Sequence, residues 1–353
     1  MYVIIGQGLA GTTLALRFLE RNVPFRIIDN GHESSSSMVA AGLWNPIVFR
    51  RVNKTWMADE SLEELEDFYP RWERELGGHF YIPKPVWRIH STKQERDKWD
   101  EKKTLPGFAP YLKNPENQFE KFFGFKSEFG EGTVEHCGYL DLPQYLTRAR
   151  DYLKKKGLFE SRALPLDFAV DDLIHKKNFK GVIDARGYKS GLSARWQYLP
   201  WGLTKGEVIT LYCPDLELEK TFNSGFFLLP LGNKRYRLGA TFNWDRTDET
   251  PTKKAKRELL DKFARFFDTP FEVMEHKAGV RPTVQDRRPM MGRHVKEKEV
   301  YLFNGLGTRG VMIAPLLAAH FANWLQGNDV LMKEVDIARF EHLRDQKNPS
   351  IDF

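Results

Sequence analysis

Three glycines at positions 6, 8 and 11, set directly behind an apolar run, constrain this chain more than any other feature. Tyr2 to Ile5 is continuous, β-branched and apolar, which predicts a buried parallel strand. A helical pattern follows the GxGxxG spacing, with apolar Leu9, Leu14, Ala15, Phe18 and Leu19. Phe25 to Ile28 predicts a second strand, and Asp29 ends it 18 positions after Gly11.

Each part has a physical task. Gly6 permits a tight turn, Gly8 a close approach of backbone to pyrophosphate, and Gly11 close packing of helix on strand. The helix N-terminus, from Leu9 and Ala10, supplies amide donors. Asp29, followed by Asn30, is placed to accept hydrogen bonds from an adenosine ribose, and its charge repels a 2′-phosphate. The elements in this order predict a dinucleotide site.

Composition bounds the rest. A chain of 353 residues has room for about two domain-sized units with cores of their own. Cys137 and Cys213 are the two cysteines, too few and too far apart for a disulfide scaffold or a cysteine zinc site. The histidines show no metal-ligand spacing, so no metal is expected. No apolar run approaches the roughly 18 residues a membrane helix needs. The apolar opening is itself predicted sheet core and leaves no room for a signal segment ahead of it, so a cytoplasmic protein is expected. The net charge of +6 permits an acidic partner without requiring one.

The segment after Asp29 departs from continued strand–helix alternation. A polar loop, Asn30 to Ser37, leads into MVAAGLWNPIVFRR, where Ala40, Ala41 and Gly42 suit close approach of a planar ligand. Here the chain resembles the D-amino-acid oxidase family of FAD-dependent amine oxidases, which includes glycine oxidase and sarcosine oxidase. Three further segments carry the resemblance: GYLDLPQYL at 138–146, KGVIDARGY at 180–188, and AGVRPTVQDRRPMMG at 278–292. The last is followed by YLFNGLGTRGVMIAP at 301–315. Within the family, LGTRG followed by AP is similar to the FAD domain of the bifunctional tRNA 5-methylaminomethyl-2-thiouridine biosynthesis enzyme. Glycine oxidase carries an arginine one step earlier, where this chain has Thr308.

The resemblance implies FAD, held noncovalently because neither cysteine matches the covalent flavin link of sarcosine oxidase. It implies that Ser37, Ala41, Gly42, Ala185 and Gly187 line the cofactor. Gly305, Gly307, Thr308, Arg309, Gly310, Val311 and Met312 form a glycine-rich loop and the start of a helix running to about Gln326. Amides and dipole there would face the flavin's pyrimidine end, which gains negative charge on reduction. Arg281, at the end of a strand-like stretch, is the implied clamp for a substrate carboxylate. Its structural alternative is an ion pair with Asp286 or a bond to a backbone carbonyl. Arg309 is the second catalytic candidate, for substrate or for the flavin's pyrimidine oxygen. Trp44, Asn45, Trp56, Trp201, Phe226 and Phe227 are candidate lining residues.

The expected fold is α/β with an α+β second domain: a Rossmann-like FAD/NAD(P)-binding domain interleaved with an antiparallel-sheet substrate domain. Residues 1–75, 140–195 and 275–353 are assigned to the first, 76–139 and 196–274 to the second. GEVITLYC, GFFLLPL and KRYRLGATFNW have the spacing of antiparallel neighbours, and Lys253 to Asp268 predicts an amphipathic helix. The implied activity is oxidation of the C–N bond of an amino acid or secondary amine by hydride transfer, followed by imine hydrolysis. Two alternatives stand beside it: an oxidase acting on the carboxymethylaminomethyl group of tRNA wobble uridine, and a non-catalytic flavin-binding protein. Basic clusters at Lys154–Lys156, Lys253–Arg257, and Arg287, Arg288 and Arg293 serve a tRNA partner or are solvated helix faces.

Overall fold

A computed structural model describes residues 1–31, 35–124, 127–177 and 179–344. Residues 32–34 of the expected polar loop and 345–353 of the first expected domain lie outside them.

The opening strand Tyr2–Ile5 sits inside a six-stranded sheet, paired in parallel with Phe25–Asp29 and with Gly181–Asp184. Phe159–Ser161 extends the sheet beyond Phe25–Asp29, and Val300–Asn304 extends it beyond Gly181–Asp184, both in parallel. Met290–Arg293 closes that edge as an antiparallel strand. Val3, Ile4, Val182, Ile183, Leu302 and Phe303 are fully buried, as strands covered on both faces must be.

The helix Leu9–Glu20 is buried from Leu9 through Phe18 because helix Gly310–Leu325 packs along it. Helix Ala58–Leu76 packs on Gly310–Leu325 in turn. Pro315 interrupts the Gly310–Leu325 helix: with no N–H, it leaves the Val311 carbonyl without its helical donor. The buried Tyr69 hydroxyl donates to that carbonyl at 3.0 Å, so the proline costs no unsatisfied acceptor.

The second large sheet has eight strands, in the order Glu272–Arg281, Thr204–Tyr212, Arg235–Gly239, Phe227–Gly232, Thr221–Asn223, Val86–Ile89, Glu131–Val134, Leu112–Lys113. Neighbours are antiparallel except Thr221–Asn223 against Val86–Ile89. The three strands expected to be antiparallel neighbours are so. Glu272–Arg281 stays paired as far as Arg281 opposite Thr204, so the expected boundary at 275 falls inside one strand of this sheet. Likewise Gly138–Leu140 joins Leu43–Trp44 and Tyr81–Pro83 in a small sheet that draws on both sides of the expected boundary at 76.

Helix Lys253–Ala264 lays Leu259 and Phe263 on the core of the eight-stranded sheet. It stops short of the expected Asp268. The amides of Phe266 and Phe267 both bond the Phe263 carbonyl, and Phe267 turns in to meet Phe222 with ring centroids 5.0 Å apart. No helix among the described residues is long and apolar enough to cross a membrane.

Candidate cofactor and substrate site

The carboxyl ends of the parallel strands deliver Gly6, Asp29, Ala185 and Asn304 to one rim of the sheet, where a topological crevice opens. A cavity of about 1190 Å³ runs from that rim to the eight-stranded sheet. It exceeds the roughly 300–1,000 Å³ of an ordinary small-molecule pocket, as a dinucleotide plus a substrate requires.

At the strand rim the geometry is set by backbone. Gly6 has φ +100°, and a Cβ there would press on the Ala185 carbonyl oxygen at 2.8 Å. A Cβ on Gly11 would lie 1.9 Å from the Gly6 carbonyl oxygen, so only glycine lets helix and strand meet. Gly42 is equally constrained: a Cβ would fall 2.0 Å from the Leu140 carbonyl oxygen. The Asp29 carboxylate accepts from the amides of Gln7 (2.8 Å) and Gly31, which fix it against the cavity. Ser37 Oγ accepts from the Leu9 amide at 3.0 Å and so ties the small-residue segment to the helix N-terminus.

The return turn Ala185–Gly187 is held by a buried hub. Asp184 accepts from the Arg186 guanidinium, Ser190 Oγ (2.7 Å) and Trp196 Nε1 (3.0 Å). Burial works against its charge, yet Arg186 and these hydroxyl and amide donors hold it below the usual carboxylate range. Asn304 completes the turn by donating to the Gly187 carbonyl and Ser190 Oγ, each at 2.9 Å.

At the sheet end the geometry is set by side chains. Arg281 lies flat across Gly206, where a Cβ would come within 2.0 Å of the guanidinium. The guanidinium carbon also lies 4.6 Å from the centre of the Phe242 ring. Its protein acceptor is the Thr241 carbonyl, at a long 3.4 Å from each terminal nitrogen. Among the described residues no carboxylate pairs with it. Asp286 instead accepts from Arg339 at 3.0 Å, so the expected alternative pairing is not made. Burial without a counter-charge pushes the Arg281 pKa down to about 10.

Arg309 ends a single 3-10 turn, Gly307–Arg309, ahead of helix Gly310–Leu325, and donates to the Asn45 carbonyl at 2.8 Å. Burial lowers its pKa as well. The bond ties the C-terminal loop to the segment after the serine loop across the cavity.

Of the predicted residues, Gly6, Gly8, Leu9, Ala10, Asp29, Asn30, Ser37, Ala41, Gly42, Ala185, Gly187, Gly307, Thr308, Arg309, Gly310, Val311 and Arg281 line the cavity. Gly11, Gly305 and Met312 do not, and Gly11 instead makes the close helix–strand packing expected of it. Gly11 faces the Gly6 carbonyl, Gly305 packs on Val284 and Met290, and Met312, the third residue of the helix, is buried in the core. Trp44, Asn45, Phe226 and Phe227 line it; Trp56 and Trp201 are absent from its wall. Trp201 stacks over Gly191 and Trp56 lies under Arg288.

Sequence inspection missed Gly206, Phe242, Arg50, Arg88 and Asn223, which also line the cavity. Arg88 is fully committed: two bonds reach Glu95 at 2.7 and 2.8 Å and one reaches Asn223 Oδ1 at 2.6 Å. Burial opposes ionisation of Glu95, but His90, Arg88 and the Ser91 amide bring its pKa down to about 2. Tyr188 and Glu249 meet at the wall, where burial and the glutamate push the phenol up to about 12. Arg88, Asn223 and Glu249 lie outside every motif the sequence offered, and Arg50 and Tyr188 stand at the ends of quoted segments without marking a role there.

A glycine cradle on a strand–helix turn, an acid on the next strand and a contiguous pocket holding an unpaired arginine define a dinucleotide-binding protein with an adjoining ligand site. The chain belongs to the DAO family of FAD-dependent oxidoreductases, which residues 1–324 match. It is 26% identical over 361 residues to the tRNA 5-methylaminomethyl-2-thiouridine biosynthesis bifunctional protein of Marinobacter nauticus. That match covers 91% of this chain and 54% of the relative, so the chain spans about half that protein's length. Glycine oxidase of Bacillus subtilis is 26% identical over 157 residues, 42% of each chain. In fold it is similar to L-proline dehydrogenase from P. horikoshii (TM-score 0.77, 17% identity, 97% of each chain). It is also similar to glycine oxidase from Geobacillus kaustophilus (TM-score 0.74, 18% identity, 96% and 97%).

FAD, the family's cofactor, suits the residues present. The closed Gly6–Gly11 contact, the amide-braced Asp29 and the cavity volume accept its adenosine and pyrophosphate. The N-termini of helices Leu9–Glu20 and Gly310–Leu325 both border the cavity, and their first amides have no partner within the helix.

Proposed function

We propose that this protein oxidises the carbon–nitrogen bond of a small amine that carries a carboxylate. The observation that supports it is Arg281, half-buried in the cavity wall with no carboxylate of its own. Burying a cation without a partner is costly, and a bound carboxylate supplies the missing charge and a two-bond geometry. FAD, when bound, supplies the two-electron oxidant.

The rest of the site positions and shields. Phe242 and Gly206 both border the guanidinium and help fix its position. The Arg309–Asn45 bond keeps the C-terminal loop closed on the cavity, and the Gly310–Leu325 dipole favours negative charge at its N-terminus. Phe226, Phe227 and Val208 give that end of the cavity apolar walls that limit water. Positioning of this kind lowers a barrier without a general base.

The test is anaerobic mixing of the FAD-loaded protein with glycine, sarcosine and a panel of amino acids and N-alkyl glycines. Bleaching of the flavin absorbance by at least one of them is expected. A coloured protein that no member reduces would defeat the proposal.

A second substrate satisfies the same clamp. The carboxymethylaminomethyl group of tRNA wobble uridine is an N-substituted glycine, and the similarity to the bifunctional relative over 91% of this chain favours it. Salt-sensitive reduction by modified tRNA, with free sarcosine inert, would select it over small amines.

A further inference from the structure

Beyond Arg281 the flat faces continue outward. The guanidinium lies on one side of Phe242, and Phe242 stands 6.3 Å from Trp244 with the two rings 23° from parallel. Phe242 is 55% exposed and Trp244 68% exposed, unusual for two large aromatic side chains in a chain whose other tryptophans are mostly buried. Phe242 lines the cavity; Trp244 lies just outside its wall. The stack therefore leads from the proposed carboxylate position to solvent.

The segment carrying the rings is braced at both ends. Thr241 exchanges bonds with Glu207: its amide donates to the Glu207 carbonyl and its hydroxyl accepts the Glu207 amide at 3.0 Å. Asn243 pairs with Lys205 through both backbone groups, at 2.8 and 2.9 Å. The fully buried Lys205 sends its ammonium to Asp248 (2.9 Å) and the Thr250 carbonyl. The Asp245 amide donates to Asn243 Oδ1, closing a turn that presents Trp244. An exposed indole on so tightly fixed a turn loses little entropy when it stacks on a ligand.

Two stacked aromatic faces suit a planar ring. Arg246 is paired with Asp248, and Asp245 follows Trp244 in the chain.

We propose that Trp244, with Phe242 behind it, is a stacking platform for a planar ring borne by the substrate amine, and so selects aryl-substituted over alkyl-substituted glycines. The proposal rests on the carboxylate clamp of Arg281. The substrate's carboxylate sits on the guanidinium, its amine lies in the cavity, and its ring extends along the aromatic faces.

The test titrates the FAD-loaded protein with sarcosine and with N-benzylglycine, reading perturbation and anaerobic bleaching of the flavin band in wild type, Trp244→Ala and Trp244→Phe. Expected is a preference for N-benzylglycine of about tenfold or more in apparent affinity, from the worth of one stacked ring. That preference should be lost in Trp244→Ala and largely kept in Trp244→Phe. Equal affinities in wild type, or a preference that survives Trp244→Ala, would overturn the platform while sarcosine reduction leaves the clamp standing. If neither amine binds or reduces the protein, the platform is overturned, and the clamp falls with it unless modified tRNA reduces the flavin. If Trp244→Ala turns a dimer into a monomer in sedimentation without moving the preference, the rings cover a second copy and the platform is overturned.

Discussion

The two ends of the cavity are built by opposite means. At the strand rim, shape comes from backbone: Gly6 and Gly11 touch, Gly42 meets Leu140, and Asp29 is braced by two amides. At the sheet end, shape comes from side chains on strands far apart in sequence, Arg281 over Gly206 and under Phe242. The first end tolerates no added atom, because a carbonyl stands where a methyl would go. The second end holds an unpaired charge that a ligand must complete. One end is rigid by contact, the other is poised by electrostatics.

The largest effect should come from breaking the contact end. Gly11→Ala places a methyl 1.9 Å from the Gly6 carbonyl oxygen. Overpacking of that severity costs about 3 kcal/mol or more. Purified protein should lack the flavin absorbance and melt at lower temperature; a yellow, equally stable variant would show that helix and strand can separate freely.

A buried pair at the sheet end comes next. Glu95→Gln leaves Arg88 without its counter-charge and should destabilise by about 3 kcal/mol in denaturant melts. The sign of the pH dependence follows from the depressed folded pKa of Glu95, about 2 against an ordinary 4.5. Its ionisation contributes stability that is present above pH 4.5 and lost as pH falls toward 2. The variant should therefore lose less stability than wild type between pH 5 and pH 2.5; equal losses would remove Glu95 from the account.

Arg281→Met separates stability from function. Removing an unpaired half-buried cation should raise the melting temperature slightly, while kcat/KM for a carboxylated amine falls about 100-fold or more. A variant that loses stability and keeps its activity would mark Arg281 as structural. The smallest effect is at Asp29. Asp29→Asn keeps an acceptor for the two amides but removes the charge, and should weaken FAD binding about tenfold, as one lost charge-assisted hydrogen bond does. Measured by ultrafiltration, unchanged affinity would leave Asp29 as a turn residue only.

The same contrast explains what was legible in the sequence. Gly6, Gly8 and Asp29 lie within one strand–helix–strand unit, so spacing alone carries their geometry. Arg281 was visible because a proline-bounded motif surrounds it. Gly206, Phe242 and Arg88 were not, because their tasks exist only once Thr204–Tyr212, Arg235–Gly239 and Val86–Ile89 share a sheet. Gly11 was legible as a packing residue from its spacing, whereas Met312, placed with the cofactor loop by sequence adjacency, faces the core. The expected 275 boundary falls within a strand for a related reason, since the Arg281 motif looks continuous with the loop after it while its strand pairs with Thr204–Tyr212.

The measurement closest to the central claim compares sarcosine with dimethylamine, which differs in lacking the carboxylate, in wild type and Arg281→Met, by anaerobic reduction of bound FAD. Wild type should be reduced by sarcosine at least 100-fold more effectively, and the variant should lose most of that preference. Equal reduction of wild type by both amines, or a preference that survives Arg281→Met, would contradict a carboxylate clamp at Arg281.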